Sequence, residues 1–369
     1  MKILVTGTHF TPAIATIEEL RKTSGVDVVY VGRKTTQEGD KTASVESQIL
    51  PAKGIKFIPI IAGRLQRVLT LYTIPSLFKI PIGFIQAFYI VLSEKPDVIL
   101  SFGGYVAVPV VFLGWLLSVP IVIHEQTLVS GLANKISALF ADKICLSFVS
   151  KFSLKKENTI LTGNPIRKEI LQPENKPDLI YERIFKTAKQ KNLPVLLVTG
   201  GNQGSHILNT AVEKALDELT KIALIIHVTG DNKFNDFGRL KNKQNDHYLV
   251  KKWIGDGWGA MLSKIDLVIS RAGINTLTEL AFLGKPALVI PIPYLYQDEQ
   301  NKNAEYFKGL GLAGILPQSK LSAESLFKEI ESALRNLPLL TKAALGAKSV
   351  VITSAAKRIA LETILLKKI

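Results

Sequence analysis

Two apolar segments that end on glycine-rich turns constrain this chain more than any other feature. Val98-Ile-Leu-Ser-Phe102 runs into Gly103-Gly104 and Tyr105-Val-Ala-Val-Pro109, and Val195-Leu-Leu-Val198 runs into Thr199-Gly-Gly-Asn-Gln-Gly-Ser205. A buried strand that turns through glycines toward a helix opens a β-α unit in which the backbone must approach a ligand, or itself, closely. Two such turns, one in each half, predict one ligand held between two domains.

The remaining pattern is strand and helix in alternation. Strands are expected at 2–6, 26–31, 98–102, 121–125 and 143–147, then at 195–198, 223–228, 267–270 and 287–290. Helices are expected at 13–22, 74–93 (broken by Pro75, Pro81 and Gly83), 110–117, 131–140, 207–219, 276–283 and 349–366. Apolar strands alternating with helices mean parallel sheets covered on both faces. From Tyr105 to Ile123 no side chain is charged, but Pro109, Gly114 and Pro120 divide the run into a buried helix and a buried strand. The polar stretch 172–192 has the composition of a domain connection with a helix in it.

At 369 residues the chain exceeds what one core usually supports, so two domains are expected. An apolar fraction of 47% against 21% charged excludes extensive disorder. The lone Cys145 rules out an internal disulfide framework. No signal-peptide pattern precedes the first strand, which reads as cytoplasmic residence. The net charge of +15 is spread over both halves without a basic tail. No nucleic-acid motif accompanies it, so an anionic membrane surface or a phosphorylated ligand is the expected partner, and nucleic acid is not.

Several polar side chains fall at strand ends. His9 follows the first strand, where an imidazole titrating near neutrality can take a proton from an attacking hydroxyl; a turn histidine capping the next helix fits the position equally. His124 and Glu125 end a buried strand, and a carboxylate there either orients the histidine, binds a hydroxyl or simply fixes the loop. Asn202 and Gln203 add amide donors to a glycine turn suited to a diphosphate. Thr276-x-x-Glu279 has the spacing of a capping box, a sufficient structural account of Glu279.

Taken together, Phe102-Gly-Gly-Tyr-Val106, His124-Glu-Gln126, Gly131-Leu-Ala-Asn-Lys135, Gly163-Asn-Pro-Ile-Arg167, Gly200-Gly-Asn-Gln-Gly204, Ser270-Arg-Ala-Gly273 with Glu279, Asp298-Glu-Gln300 and Asn303-Ala304 resemble the MurG family. These glycosyltransferases add N-acetylglucosamine to the lipid-linked muramoyl-peptide precursor of peptidoglycan. The resemblance implies an α/β fold of two Rossmann-like doubly wound domains facing across a cleft (GT-B architecture). It implies an acceptor and membrane-side domain at 1–165, a UDP-sugar domain at 166–344 and a C-terminal helix, 345–369, packed back on the first. It further implies inverting transfer from UDP-GlcNAc to an undecaprenyl-pyrophosphoryl-linked acceptor by a peripheral protein on the cytoplasmic face of the cell membrane.

On the same basis His9 is the base. Thr8, Tyr105, His124, Glu125, Thr127 and Asn134 belong to the substrate site, Arg167 and Ile254 flank the uracil and Glu279 holds the ribose. Asn202, Gln203, Gly273, Asn275, Thr276 and Gln300 meet the rest of the donor. The first loop, Thr6-Gly7-Thr8-His9, is two residues shorter than the family's usual form. Thr127, Asn202, Asn275 and Glu299 also depart from its common residues.

No Asp-x-Asp occurs and the five histidines have no metal-ligand spacing, so neither metal nor other cofactor is expected. The stretch from Arg64 and Arg67 through Phe78, Lys79, Ile80, Ile82, Phe84, Ile85, Phe88 and Tyr89 carries more apolar surface than one helix face buries; much of it is expected as core against the first sheet, and an exposed part suits a membrane contact. The rival functions are a UDP-N-acetylglucosamine 2-epimerase-like isomerase, which shares the architecture and needs no acceptor, and a non-catalytic nucleotide-sugar-binding subunit.

Overall fold

The computed structural model describes residues 1–35, 43–63, 73–149, 156–173, 179–201, 203–255 and 257–367. The chain divides into two compact units, Met1–Arg167 with Ile352–Ile369, and Lys168–Val351.

The first unit is built on a seven-stranded parallel sheet of β1 (Lys2–Thr6), β2 (Asp27–Gly32), β3 (Lys56–Pro59), β4 (Val98–Ser101), β5 (Ile121–Glu125), β6 (Lys143–Leu146) and β7 (Thr159–Leu161). Their spatial order is β3-β2-β1-β4-β5-β6-β7. The order reverses between β1 and β4, and the crevice beyond the carboxyl ends of such a pair is where α/β sheets take their ligands. Alternation along the strands splits the core into two layers. Ile3, Val5, Tyr30 and Leu100 face the helices Phe10–Leu20 and Ala355–Leu365. Leu4, Val31, Ile99 and Ile123 face Thr73–Glu94 and Ala107–Leu116. With both faces covered, the strands read as continuous apolar runs, and the uncharged stretch from Tyr105 to Ile123 is core.

The second unit repeats the plan with six parallel strands: β8 (Val195–Thr199), β9 (Leu224–Val228), β10 (Tyr248–Lys251), β11 (Leu267–Ser270), β12 (Ala287–Val289) and β13 (Ala313–Ile315), in the order β10-β9-β8-β11-β12-β13. Its switch point lies between β8 and β11. Leu196, Val198 and Ile225 pack with the helices His206–Ile222 and Ala323–Arg335.

Two local expectations are corrected. The helix expected to break at Pro81 and Gly83 runs unbroken from Thr73 to Glu94. Pro81 lies exposed within it, and Gly83 is a packing residue: a Cβ there would sit 2.7 Å from the Ile61 carbonyl oxygen. The helix expected to start at Thr276 starts at Ile274, with Gly273 as its N-cap and no side-chain capping bond. Thr276 is therefore the third helical residue, and the Thr276–Glu279 capping box does not form.

Candidate functional site

At the switch point of the first unit, two loops share their backbone. Thr8 N donates to the Gly103 carbonyl at 3.0 Å, and Phe102 N donates to the Thr6 carbonyl at 2.7 Å. Gly7 (φ +141°) has no room for a side chain, since a Cβ would lie 2.8 Å from the Phe102 carbonyl carbon and 2.9 Å from the Gly103 oxygen. Gly104 (φ +86°) faces the Thr8 side chain as closely. These glycines let the turn after β4 close over the turn after β1.

His9 occupies the N-cap position of the helix Phe10–Leu20, and its side chain makes no capping bond. The imidazole is thus not spent on the helix end. Its pKa is lowered to about 4, by burial first and by the Arg33 charge second, so the ring is neutral near pH 7.

The two residues at the end of β5 have separate surroundings. His124 is buried, with Nε2 2.9 Å from Ser147 Oγ and 3.3 Å from the Gly163 carbonyl, and its ring meets Phe102 edge-on. Burial lowers its pKa to about 3. Glu125 turns to the other side. One carboxylate oxygen accepts from Thr127 N at 2.9 Å and Thr127 Oγ1 at 2.8 Å, and the other from Asn134 Nδ2 at 3.0 Å. Burial raises the Glu125 pKa. Consecutive strand residues point to opposite faces, so the carboxylate orients this loop and not the histidine. Asn134 in turn lies against Gly103, where a Cβ would lie 2.5 Å from its Oδ1. Thr8, Tyr105, Glu125, Thr127 and Asn134 therefore belong to one constellation, with Tyr105 partly packed into the core below it. Arg167, partly buried, is the last residue of this unit before its C-terminal return.

In the second unit the turn after β8 is glycine-lined for a similar reason. Gly204 (φ +72°) and Gly230 (φ +74°) press on each other, and a Cβ on Gly204 would collide with the Thr229 carbonyl. The turn delivers Ser205, whose Oγ caps the helix His206–Ile222 by accepting from Leu208 N. A 17-residue helix starting at a glycine turn offers free N–H groups and the positive end of its dipole to an anion. Gln203 is exposed on this turn; Asn202 lies outside the described residues.

Arg271, within the Ser270–Gly273 motif, ties the switch point together. It is buried, donates from Nε to Ser205 Oγ at 3.0 Å and from Nη1 to the Ile290 carbonyl at 2.9 Å. In the sequence it stands out as a lone cation directly after a buried strand. Gly273, Asn275 and Thr276 begin the helix Ile274–Leu283, and Glu279 is buried further along it. Asn303 donates to the Ala272 carbonyl at 3.1 Å, which fastens the helix Glu299–Gly309 to the same loop. Gln300, on that helix, accepts from Ile292 N at 3.0 Å. Just before it, Gln297 and Asp298 hold left-handed backbone angles that are uncommon for non-glycine residues. Ile254 follows β10, the outer strand of the sheet. Among the described residues no three His, Cys, Asp or Glu side chains come together as a metal would require.

The comparisons with known proteins cover nearly the whole chain. Residues 3–146 match the glycosyltransferase family 28 N-terminal domain and residues 195–359 the family 28 C-terminal domain. The chain is 35% identical over 341 residues to the UDP-N-acetylglucosamine--N-acetylmuramyl-(pentapeptide) pyrophosphoryl-undecaprenol N-acetylglucosamine transferase of Clostridium botulinum, covering 91% of each chain. The crystal structure of Acinetobacter baumannii MurG superposes with a TM-score of 0.70 at 25% identity, over 99% of this chain and 100% of that one. A UDP-GlcNAc 2-epimerase from Neisseria meningitidis gives a TM-score of 0.69, covering 99% of this chain and 100% of that chain, but at 16% identity it shares the fold alone.

Proposed function

Because the chain belongs to the MurG family of N-acetylglucosamine transferases, we propose that it moves N-acetylglucosamine from UDP-GlcNAc to a lipid-linked muramoyl-peptide with inversion at the anomeric carbon. The observation that carries this reading is the 91% coverage of a transferase of that name at 35% identity. His9 takes the proton of the acceptor hydroxyl as that oxygen bonds to the anomeric carbon; the bond from that carbon to the diphosphate breaks, and UDP leaves. A neutral imidazole at the mouth of the first sheet has the protonation state this step needs. Thr8, Tyr105, Glu125, Thr127 and Asn134 shape the acceptor side, and His124 supports their loop from within the core. Asn202, Gln203, Gly273, Asn275, Thr276 and Gln300 meet the diphosphate and sugar, and Arg167 and Ile254 flank the uracil. The helix starting at His206 supplies the positive pole for the leaving diphosphate, so no metal or other cofactor is required. Proton NMR of the product tests the chemistry: a β-linked product formed at an undiminished rate in EDTA is expected, and an α-linked product or a chelator-sensitive rate overturns it.

Glu279 is assigned to the ribose hydroxyls. Glutamine at this position keeps the side chain's size and one acceptor oxygen, and replaces the carboxylate charge with an amide donor. Glu279→Gln is expected to weaken UDP binding by about tenfold, the scale of one hydrogen bond to a charged group, and to leave the melting temperature nearly unchanged. UDP affinity at the parent level, measured by calorimetry, returns Glu279 to a structural role.

The protein is placed at the cytoplasmic face of the membrane, peripherally. Along the helix Thr73–Glu94, Phe78, Ile82, Ile85, Tyr89 and Leu92 form one exposed stripe, with Phe78 71% and Tyr89 67% accessible. Trp115 and Leu116, on the neighbouring helix Ala107–Leu116, are exposed as well. Phe84 does not belong to the stripe: its ring packs edge-on against Phe112 at 5.6 Å, in the core. Phe88 is exposed beside Tyr89. Arg64 and Arg67 lie outside the described residues, and Lys79 is within the stripe's span. An apolar stripe with basic neighbours binds an anionic surface in proportion to its buried area, with about 1 kcal/mol per nearby cation. The parent is expected to co-sediment with anionic vesicles, and the triple change Phe78→Ser, Ile85→Ser, Tyr89→Ser to stay folded and in the supernatant. Undiminished sedimentation of the folded variant removes the stripe from the membrane contact.

A further inference from the structure

We propose that Tyr30 is a positioning residue for His9, acting through the Gly7 carbonyl. The inference rests on His9 being the base, and it concerns a side chain on β2 that no motif includes. Tyr30 is fully buried, and its hydroxyl donates to Gly7 O at 2.9 Å. In the sheet Tyr30 pairs with Val5 of β1, so the phenol reaches along the strand direction to the residue just past the sheet's end.

The ring that carries this hydroxyl has little freedom. It stacks on Phe57, its partner residue on β3, at 6.2 Å between centroids and 17° between planes. Gly32 lies on the same face of β2 two residues on, and a Cβ there would come within 2.8 Å of Tyr30 Cε1. Glycine at 32 thus leaves the space the tyrosine ring fills. Burial pushes the phenol pKa up, so the group stays a donor at any working pH.

Gly7 is held from two sides. Tyr30 takes its carbonyl, and the backbone of Phe102 and Gly103 closes over its α-carbon, while the next residue, Thr8, donates to the Gly103 carbonyl. His9 is the residue after that. Without the hydroxyl, the Gly7 carbonyl is a buried acceptor with a lost partner, and a glycine peptide is the one most free to rotate in search of another. Rotation there redirects Thr8 and His9, and small misplacements of a catalytic group carry large kinetic costs.

The test is a double-mutant cycle of Tyr30→Phe and His9→Ala, with enzyme concentration set by UDP titration, which reads the second unit. Tyr30→Phe keeps the ring and its stacking. It is expected to lower kcat about tenfold, a fraction of the misplacement cost, with KM for UDP-GlcNAc within about twofold of the parent. In the His9→Ala background the same change is expected to lower kcat by less than about twofold, because residues that act through one another are not additive. Parent-level kcat in Tyr30→Phe, or an equal loss in both backgrounds, overturns the proposal; neither result touches the base assignment. Parent-level kcat in His9→Ala alone overturns the base assignment and this proposal with it. A purely structural tyrosine lowers the melting temperature and leaves kcat per UDP site alone. Phe57→Leu, which loosens the ring and keeps the hydroxyl, replaces Tyr30→Phe should that variant not fold: a kcat loss confined to the His9 background supports the proposal, and an equal loss or none overturns it.

Discussion

His9→Ala is expected to lower turnover by roughly a hundredfold or more, the usual scale for a general base, while UDP affinity stays at the parent level. The side chain makes no capping bond, so its removal leaves the helix Phe10–Leu20 intact and the loss is read as chemistry. The same assignment fixes the sign of the pH dependence. A base works when unprotonated, and burial lowers the His9 pKa to about 4, below the ordinary histidine value near 6.5. The rate kcat/KM therefore holds as pH falls through 6.5 and is lost only on approach to 4. An acid limb at 6.5 contradicts the burial shift of His9 and leaves the turnover of His9→Ala to decide its role. The profile must be taken on protein shown to be folded. His124 and His227 are held neutral by burial, with pKa values lowered to about 3. The unfolded chain binds protons that the native state refuses, so stability falls as pH drops below 6.5.

Gly204→Ala is expected to cost the second unit on the order of 2–5 kcal/mol, from a left-handed backbone and an overpacked contact together. The Cβ would meet the Thr229 carbonyl, which is backbone and cannot turn aside. For a unit of this size that is a drop of roughly 5–15 °C in melting temperature, accompanied by at least tenfold weaker UDP binding as the turn lifts from the helix end. Gly201→Ala is the matched control. Gly201 also has positive φ (+82°), but nothing lies within 4 Å of its Cβ, so it loses only about 1–2 kcal/mol to backbone strain. Equal melting temperatures for the two variants remove the contact argument.

The parts of the fold that were legible in the sequence are those where one physical requirement acts alone. Strands buried on both faces must be apolar throughout, and β1, β4, β5, β8 and β11 stand out for that reason. Glycines 7, 104 and 204 mark turns because contact with neighbouring backbone or side-chain atoms excludes a Cβ. Legibility failed where one residue type serves two purposes. Gly83 reads as a helix breaker and is a spacer against Ile61; Thr276 and Glu279 have capping spacing but sit inside a helix that Gly273 begins.

The polar networks were the least readable, since they join residues far apart in the chain. Glu125 with Asn134 and Arg271 with Ser205 are pairs that spacing cannot announce. A third joins Asp236 to His206 (2.8 Å) and Asn209 (2.8 Å), with His227 Nε2 3.0 Å from Asn209 Oδ1. Tyr30 was hidden for a simpler reason: among valines it reads as a core aromatic, and only its hydroxyl's 2.9 Å reach to Gly7 shows otherwise.

The most direct measurement follows the fate of UDP-GlcNAc in the presence of the pure protein, with and without lipid-linked muramoyl-peptide. The account predicts UDP release only when both substrates are present, matched mole for mole by N-acetylglucosamine in the lipid fraction, and an unchanged donor when the acceptor is withheld. Inversion at C2 of the sugar without acceptor, as an epimerase of the same architecture would give, or donor binding with no turnover under either condition, contradicts it.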